Sequence, residues 1–171
     1  GLAAAGAFLE RAAMLTPDAA KRTERALAAA EVMYEAGAYE AVENLLRALE
    51  GVRLDELQAA RTESLAAQVA LSLGRDAGDA ILRLVGAGER LAHLDSGLAN
   101  VAHLDALRWA FHFPDPDVLS AVADTLKRSP ARQSGEIVEL ILRGWTQMLA
   151  QGYPAGTDLL REAVFALRVK P

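Results

Sequence analysis

Apolar residues recur at helical spacing along most of the chain. In the first segment Ala5, Phe8, Leu9 and Ala12 follow the three- and four-residue steps that place side chains on one helical face. No stretch alternates apolar and polar residues over six positions, so no strand is predicted. Glycines, prolines and capping residues divide the sequence into about nine predicted helices. They cover approximately residues 2–15, 17–37, 39–51, 54–74, 76–93, 95–112, 117–128, 134–152 and 154–168.

Two boundaries show how the helices are separated. At the start of the second helix, Thr16 is predicted to cap, Pro17 suits the first helical position, and Asp18 complements the helix dipole. After the sixth helix, the prolines at 114 and 116 prevent a continuous helix. Both boundaries therefore indicate short connections between helices.

Three glycines mark a repeat. Gly37 and Gly74 lie 37 residues apart, and the 78 residues to Gly152 leave room for one degenerate unit. A small residue stands four positions after each glycine, and a leucine stands eight positions after it. These residues are Ala41, Gly78 and Gly156, then Leu45, Leu82 and Leu160. The pattern predicts helical hairpins with a period near that of the 34-residue tetratricopeptide unit.

The predicted fold is all-α, with tetratricopeptide-like hairpins stacked into a superhelix. Each turn needs a residue that tolerates positive φ, and small residues let the two helices of a hairpin approach closely. A single hairpin cannot bury both of its faces, so neighbouring hairpins share a core. The alternative is an irregular helical bundle in which the glycines only end helices.

We interpret residues 1–171 as one helical-repeat domain and expect it to be a piece of a longer chain, because it begins at Gly1 and ends just after a helical pattern. Its terminal helices then lack neighbours. We expect self-association through exposed apolar residues such as Phe8, Leu9, Val164 and Leu167.

Composition narrows the class of protein. Of the 171 residues, 36 are Ala and 27 are Leu, which favours helix over strand. The absence of Cys excludes disulfides and thiolate chemistry and is compatible with a cytoplasmic protein. The net charge of −5, with scattered arginines, disfavours direct nucleic-acid binding by this chain. The longest uncharged run, 144–157, is too short and polar to span a membrane.

No residue pattern indicates an active site. His93, His103 and His112 form no pair at metal-site spacing and are interpreted as partly exposed histidines near helix ends. Asp76 and Asp79 are explained by helix capping and the helix dipole. No phosphate-binding loop is visible among the glycines. The sequence therefore predicts a protein that is not an enzyme and has no metal or cofactor.

Binding is the remaining function. In a tetratricopeptide-like stack, the first helix of each hairpin lines the concave face, and the turn glycines fix the register. The candidate concave residues are Glu31, Tyr34, Glu35, Arg61, Gln68, Ser72, Glu139 and Thr146. This mixed, fairly acidic surface either binds a peptide or partner domain or is simply solvated. Near the third turn, Trp109, Phe111 and Phe113 are interpreted as core packing at a broken repeat rather than as an exposed anchor.

Three segments resemble one bacterial family. They are AFLERAAMLTPD at 7–18, continuing through Arg22 and ERALAAA at 24–30; LAHLDSGLA at 91–99; and LILRG at 140–144 followed by MLAQGYPAG at 148–156 and LLREA at 159–163. These segments are similar to the helical-repeat region of large LuxR-type transcriptional regulators of the ATP-dependent, MalT-like class. The resemblance covers nearly the whole chain, except that His112-Phe113-Pro114 replaces a turn glycine that is usual in the family.

The resemblance implies an arm between an ATPase module and a helix-turn-helix domain that binds DNA, both outside this chain. The implied role is to sense a protein or small-molecule inducer and to couple that signal to the other two modules. No ATP- or DNA-contacting residue of the family has a counterpart here. The alternative function is a stand-alone scaffold or adaptor that binds peptides on its concave face.

Overall fold

The computed structural model describes residues 1–129, 137–152 and 154–169. Within these ranges the chain forms nine α-helices and no strand, which confirms the all-α prediction. The helices are α1 (Leu2–Met14), α2 (Ala19–Glu35), α3 (Tyr39–Ala48), α4 (Glu56–Ser72), α5 (Ala77–Leu91), α6 (Ser96–His112), α7 (Pro116–Arg128), α8 (Ile137–Gln151) and α9 (Thr157–Val169). None of these described helices is both long and apolar enough to cross a membrane. The predicted start of the eighth helix, at Ser134, lies outside the described residues.

Aspartates cap four of the helices. In each case the carboxylate accepts a backbone N–H from the first helical turn, as at Asp18, Asp55, Asp95 and Asp115. The prediction that Thr16 caps α2 is wrong, because the Thr16 hydroxyl donates to the Ala12 carbonyl at 2.6 Å. Asp76 precedes α5 with φ +39°, unlike the extended backbone of the four capping residues.

The predicted turn glycines have left-handed backbone conformations. Gly37, Gly74 and Gly152 have φ of +73°, +68° and +80°. After Gly37 and Gly74, the next amide donates to the carbonyl four residues before the glycine, at 2.9 Å in both turns. This Schellman arrangement satisfies carbonyls that the helix end leaves unpaired. The two turns are therefore structural repeats 37 residues apart, as the spacing predicts.

The chain divides into two units, and unit 1 comprises residues 1–76. In unit 1, α2 packs against α1, α3 and α4, and α3 also packs against α4. The main core cluster consists of Ala29, Ala30, Met33, Val42, Leu45, Leu65 and Val69. Burying each of its larger aliphatic side chains stabilises the fold by about 1.5–3 kcal/mol. A smaller cluster joins Ala13, Ala26, Leu27 and Leu49.

Unit 2 begins at Ala77. Here α5 packs against α6 and α7, α6 and α7 each pack against α8, and α8 packs against α9. The helices α6 and α7 also contact each other, so two successive hairpins, α6–α7 and α8–α9, pack side by side. The superhelical stacking of all the hairpins stays a prediction.

Two repeat positions behave differently from one another. Gly156 stands at the small-residue position of the last hairpin and lies against the backbone of Gly144. A small residue is therefore required where α9 approaches α8. Leu45 is buried, but its repeat equivalent Leu82 is 44% exposed. The buried residues of that part of α5 are instead Ile81, Leu84 and Val85. The leucine position of the repeat is therefore not a core position in α5.

Candidate functional site

In unit 1 the predicted binding residues lie on two adjacent helices. Glu31, Tyr34 and Glu35 belong to α2, whereas Arg61, Gln68 and Ser72 belong to α4. The two helices pack side by side, so the register that was fixed on the turn glycines brings the two sets together. We call this surface the α2–α4 face.

The centre of the α2–α4 face is an ion cluster around Arg61. The guanidinium donates from Nε and Nη2 to the two carboxylate oxygens of Glu31, at 3.0 and 3.1 Å. Its Nη1 donates to Glu24 Oε1 at 2.7 Å. The Arg61 side chain is only 13% exposed, whereas Glu24 and Glu31 are 53% and 42% exposed. The arginine is thus held between α2 and α4 and is not offered to a partner.

The surroundings of Arg61 stabilise its charged form. Burial by itself lowers the pKa of the guanidinium. The hydrogen bonds that it donates to Glu24 and Glu31, together with the negative charges of these carboxylates, outweigh burial, so the pKa is raised. Two glutamates share one arginine, and Glu35 is exposed nearby on α2. The α2–α4 face therefore carries net negative charge and suits a basic partner.

The C-terminal end of the same face is held by a second contact. The hydroxyls of Tyr34 and Ser72 lie 3.2 Å apart and form a hydrogen bond between α2 and α4. The ring of Tyr34 also packs against Tyr39, with centroids 5.7 Å apart. Tyr34 and Ser72 are partly buried, and so is Gln68. Tyr34 and Ser72 thus join α2 to α4, a role that spacing alone did not indicate.

The two candidate residues in unit 2 are not accessible. Glu139 and Thr146 on α8 are 1% and 3% exposed. The Thr146 hydroxyl donates to the Leu142 carbonyl at 2.6 Å, and the Glu139 carboxylate lies 3.9 Å from Arg143 Nη1. Their prediction as exposed concave residues is wrong, because this face of α8 faces the packed interior of unit 2.

Unit 2 instead exposes an aromatic patch that the candidate set omitted. Trp109 stacks on Phe113 with centroids 5.8 Å apart, and the Arg108 guanidinium lies 4.9 Å from the centroid of the Trp109 ring. Phe111 is 41% exposed and packs against Trp145 at 4.9 Å. The interpretation of these aromatics as core packing is therefore wrong for Phe111, which is exposed, whereas Trp109 and Phe113 are partly buried.

The histidines differ from the sequence interpretation in one case. His93 and His112 are exposed near helix ends, as expected, but His103 is 1% exposed in the middle of α6. Its ring fills the space above Gly88, where an added Cβ would lie 2.6 Å from Nε2. Across the described ranges, no group of three or more His, Cys, Asp or Glu side chains is placed to hold a metal ion.

Comparisons with protein-family models, with curated proteins and with solved structures find no match to this chain.

Proposed function

We propose that this chain is a non-enzymatic signal-sensing and coupling module of a cytoplasmic bacterial LuxR-family regulator of the MalT-like, ATP-dependent class. The support from sequence is the resemblance of three segments to that family's helical arm. They begin at residues 7, 91 and 140 and end at residues 30, 99 and 163, the last with short interruptions. In this proposal the module contacts the ATPase and helix-turn-helix domains of the same regulator and does not itself bind DNA.

The observation that carries the coupling role is the contact between repeat-equivalent residues. Glu24 and Arg61 both stand 13 positions before a turn glycine, and their side chains meet at 2.7 Å. Successive first helices thus pack in the same register, which is how a repeat array forms a continuous surface. In such an array each hairpin contacts only its neighbours. A change in the packing of one hairpin therefore reaches the rest of the array through the adjacent hairpin.

The α2–α4 face supplies the chemistry of partner recognition. Glu24, Glu31 and Glu35 leave negative charge exposed, while Arg61 is already paired. A basic segment of a partner protein or of a neighbouring domain complements this charge. The same face favours the second candidate function, a stand-alone scaffold that binds basic peptides.

Binding measurements on the product of the complete reading frame distinguish the regulator from the scaffold. If the chain is the arm of a regulator, that product binds a fluorescent ATP analogue and duplex DNA, whereas the 171-residue chain binds neither. Glu31→Lys and Glu35→Lys then change ATP-dependent DNA binding, while Glu50→Lys, an exposed control after α3, leaves it unchanged. A complete product that binds neither ATP nor DNA excludes the regulator and leaves the scaffold.

A further inference from the structure

The outer face of α9 carries four exposed side chains, which we call the α9 stripe. They are separated by three, four and three positions, the spacing that keeps side chains on one side of a helix: Asp158, Arg161, Phe165 and Arg168. Ala163 lies on the opposite side and is only 1% exposed. Among the described helices α9 makes extensive contact only with α8, so Ala163 faces α8 and the stripe faces away from it.

The charges of the α9 stripe are weakly engaged within the chain. Arg161 donates to Asp158 at 3.3 Å, but these two side chains are 78% and 95% exposed. An ion pair that is so open to solvent contributes little to stability. Arg168 forms no ion pair within the described part of the chain. The acid and both bases are therefore free to pair with another molecule.

The stripe is complementary to itself when two α9 helices run antiparallel. Asp158 and Arg168 stand five positions before and after residue 163, and Arg161 and Phe165 stand two positions before and after it. A twofold axis at the level of residue 163 therefore places Asp158 of each copy opposite Arg168 of the other. It also places Arg161 opposite Phe165, where the guanidinium and its methylene stem pack on the aromatic ring. Each of these favourable pairs occurs twice.

The rest of α9 is compatible with this pairing. Its two arginines, one aspartate and one glutamate cancel, so α9 has no net charge that would repel a second copy. Glu162 borders the stripe and is exposed, so solvent screens its charge. Val164 lies on the other border, is 49% exposed, and lines a cavity of about 530 Å³ with Phe165. Contact between two copies buries apolar surface at this border.

We infer that α9 is a homodimerisation surface, on which a second copy of this chain docks its own α9 in the antiparallel direction. The same stripe is used by both copies, so the contact closes at two molecules. One helical stripe is smaller than the roughly 800 Å² per partner of a stable interface, so the dimer is expected to form only at high protein concentration. The inference goes beyond the regulator proposal and does not depend on it.

Charge reversal in a Phe8→Glu background tests this pairing, because the background removes the exposed phenylalanine of α1. Sedimentation equilibrium of this chain is expected to show monomers and dimers only. Asp158→Arg and Arg168→Asp should each weaken dimerisation at least about tenfold, because each change places two like-charged pairs across the interface. Both changes together restore opposite charges and should return the dissociation constant to within about threefold of its original value.

The double reversal distinguishes pairing between copies from an effect on α9 alone. Asp158 lies in the first turn of α9 and Arg168 in the last, so each also complements the helix dipole. If the two residues acted only through helix stability, the double variant would be the weakest dimer of the three. Pairing between copies makes it the strongest. Circular dichroism measures the helicity of each variant.

Two variants on other helices are matched controls. Asp79 is an exposed acid in the first turn of α5 that pairs with Arg83, and Arg11 is an exposed base in the last turn of α1. Asp79→Arg and Arg11→Asp change the net charge as Asp158→Arg and Arg168→Asp do. Both controls should leave dimerisation unchanged.

Cysteine cross-linking measures the register directly, because the chain contains no cysteine of its own. Arg161→Cys and Phe165→Cys chains are mixed under oxidising conditions. The mixed disulfide should form at least about tenfold faster than either homodimeric disulfide, because only the mixed pair brings two cysteines opposite each other. This measurement remains decisive if the double reversal lowers helicity.

The inference is overturned if the Phe8→Glu chain is monomeric at every concentration, or if the mixed disulfide forms no faster than the homodimeric ones. It is also overturned if the double reversal, at unchanged helicity, dimerises no better than the single reversals. Equal losses in Asp79→Arg or Arg11→Asp would assign the effect to net charge and exclude α9. Failure of the regulator proposal is distinguishable, because none of these measurements uses ATP or DNA.

Discussion

Glu24 and Arg61 stand 37 residues apart, at the same position of two successive hairpins, and their side chains form an ion pair of 2.7 Å. The pair is possible because α2 and α4 pack in matching register. Glu31, two turns further along α2, binds the same guanidinium with both carboxylate oxygens. One arginine therefore fixes the axial register of two neighbouring helices.

Replacing this arginine should weaken the contact between α2 and α4. We expect Arg61→Met to lower the free energy of unfolding by about 1 kcal/mol, because solvent screens the half-exposed glutamates and limits the gain from each pair. Urea denaturation measures the change. The effect should shrink when salt rises from about 0.1 M to about 1 M, as the Debye length falls from about 10 to about 3 Å.

Arg11→Met is the matched control for that change. Arg11 is exposed on α1 and forms no ion pair in the described residues, so its replacement should alter stability by less than about 0.5 kcal/mol. Equal, salt-independent losses in the two variants would show that the Arg61 cluster does not stabilise unit 1.

The approach of α9 to α8 depends on Gly156. A Cβ at this position would overlap the carbonyl oxygen of Gly144, so one of the two backbones must shift. Gly156→Ala should therefore destabilise the protein by about 2 kcal/mol or more and lower Tm by about 4–8 °C. Differential scanning calorimetry measures both quantities.

Gly86 provides the control, because a Cβ there would meet no atom within 4 Å. Gly86→Ala, in the interior of α5, should preserve or raise stability by up to about 1 kcal/mol, since Ala is the better helix former. Similar melting temperatures for the two alanine variants would contradict a close contact between α8 and α9.

The carboxyl group of Asp105 should give stability an unusual pH dependence. Burial raises the pKa of Asp105. The positive charge of Arg108 and the hydrogen bond that it donates act in the opposite direction. A raised folded-state pKa gives a contribution that is complete below the unfolded value of about 3.9 and is lost as pH rises through the folded value. The stability of the natural chain relative to Asp105→Asn should therefore fall as pH rises through this range in urea titrations.

Asp124 should show the opposite sign. The hydrogen bond from Lys127, at 2.8 Å, and the charge of that lysine lower its pKa. Its contribution is present above about pH 3.9 and is lost as pH falls through the folded value. Relative to Asp124→Asn, the natural chain should gain stability as pH rises. The same sign for both variants would contradict the assigned causes.

Self-association should proceed through the exposed apolar residues of α1 and α9. Phe8 and Phe165 are 79% and 69% exposed, and a cavity of about 530 Å³ lies beside Val164 and Phe165. Phe8→Glu and Phe165→Glu should each lower the weight-average mass in light scattering at high concentration, with unchanged helicity. Leu9 is unsuitable for this test, because it packs against the main core cluster of unit 1. A monomer at every concentration would refute the prediction.

The sequence by itself determined the local structure. Helix positions and the left-handed turns at Gly37, Gly74 and Gly152 follow from propensities and backbone sterics that act within a few residues. The 37-residue spacing also determined which positions of α2 and α4 are equivalent, because each hairpin repeats the same local geometry.

Only the tertiary structure decided which side chains remain accessible. Arg61 and Tyr34 were predicted as surface residues, yet both are engaged between neighbouring helices; Glu139 and Thr146 are buried within unit 2. A cavity of about 290 Å³ over α2 likewise lies where α1 and α3 both pack on α2 without extensive contact with each other, and no local pattern encodes that arrangement. Periodicity gives the face on which a residue lies, whereas burial depends on how closely residues distant in sequence pack against that face.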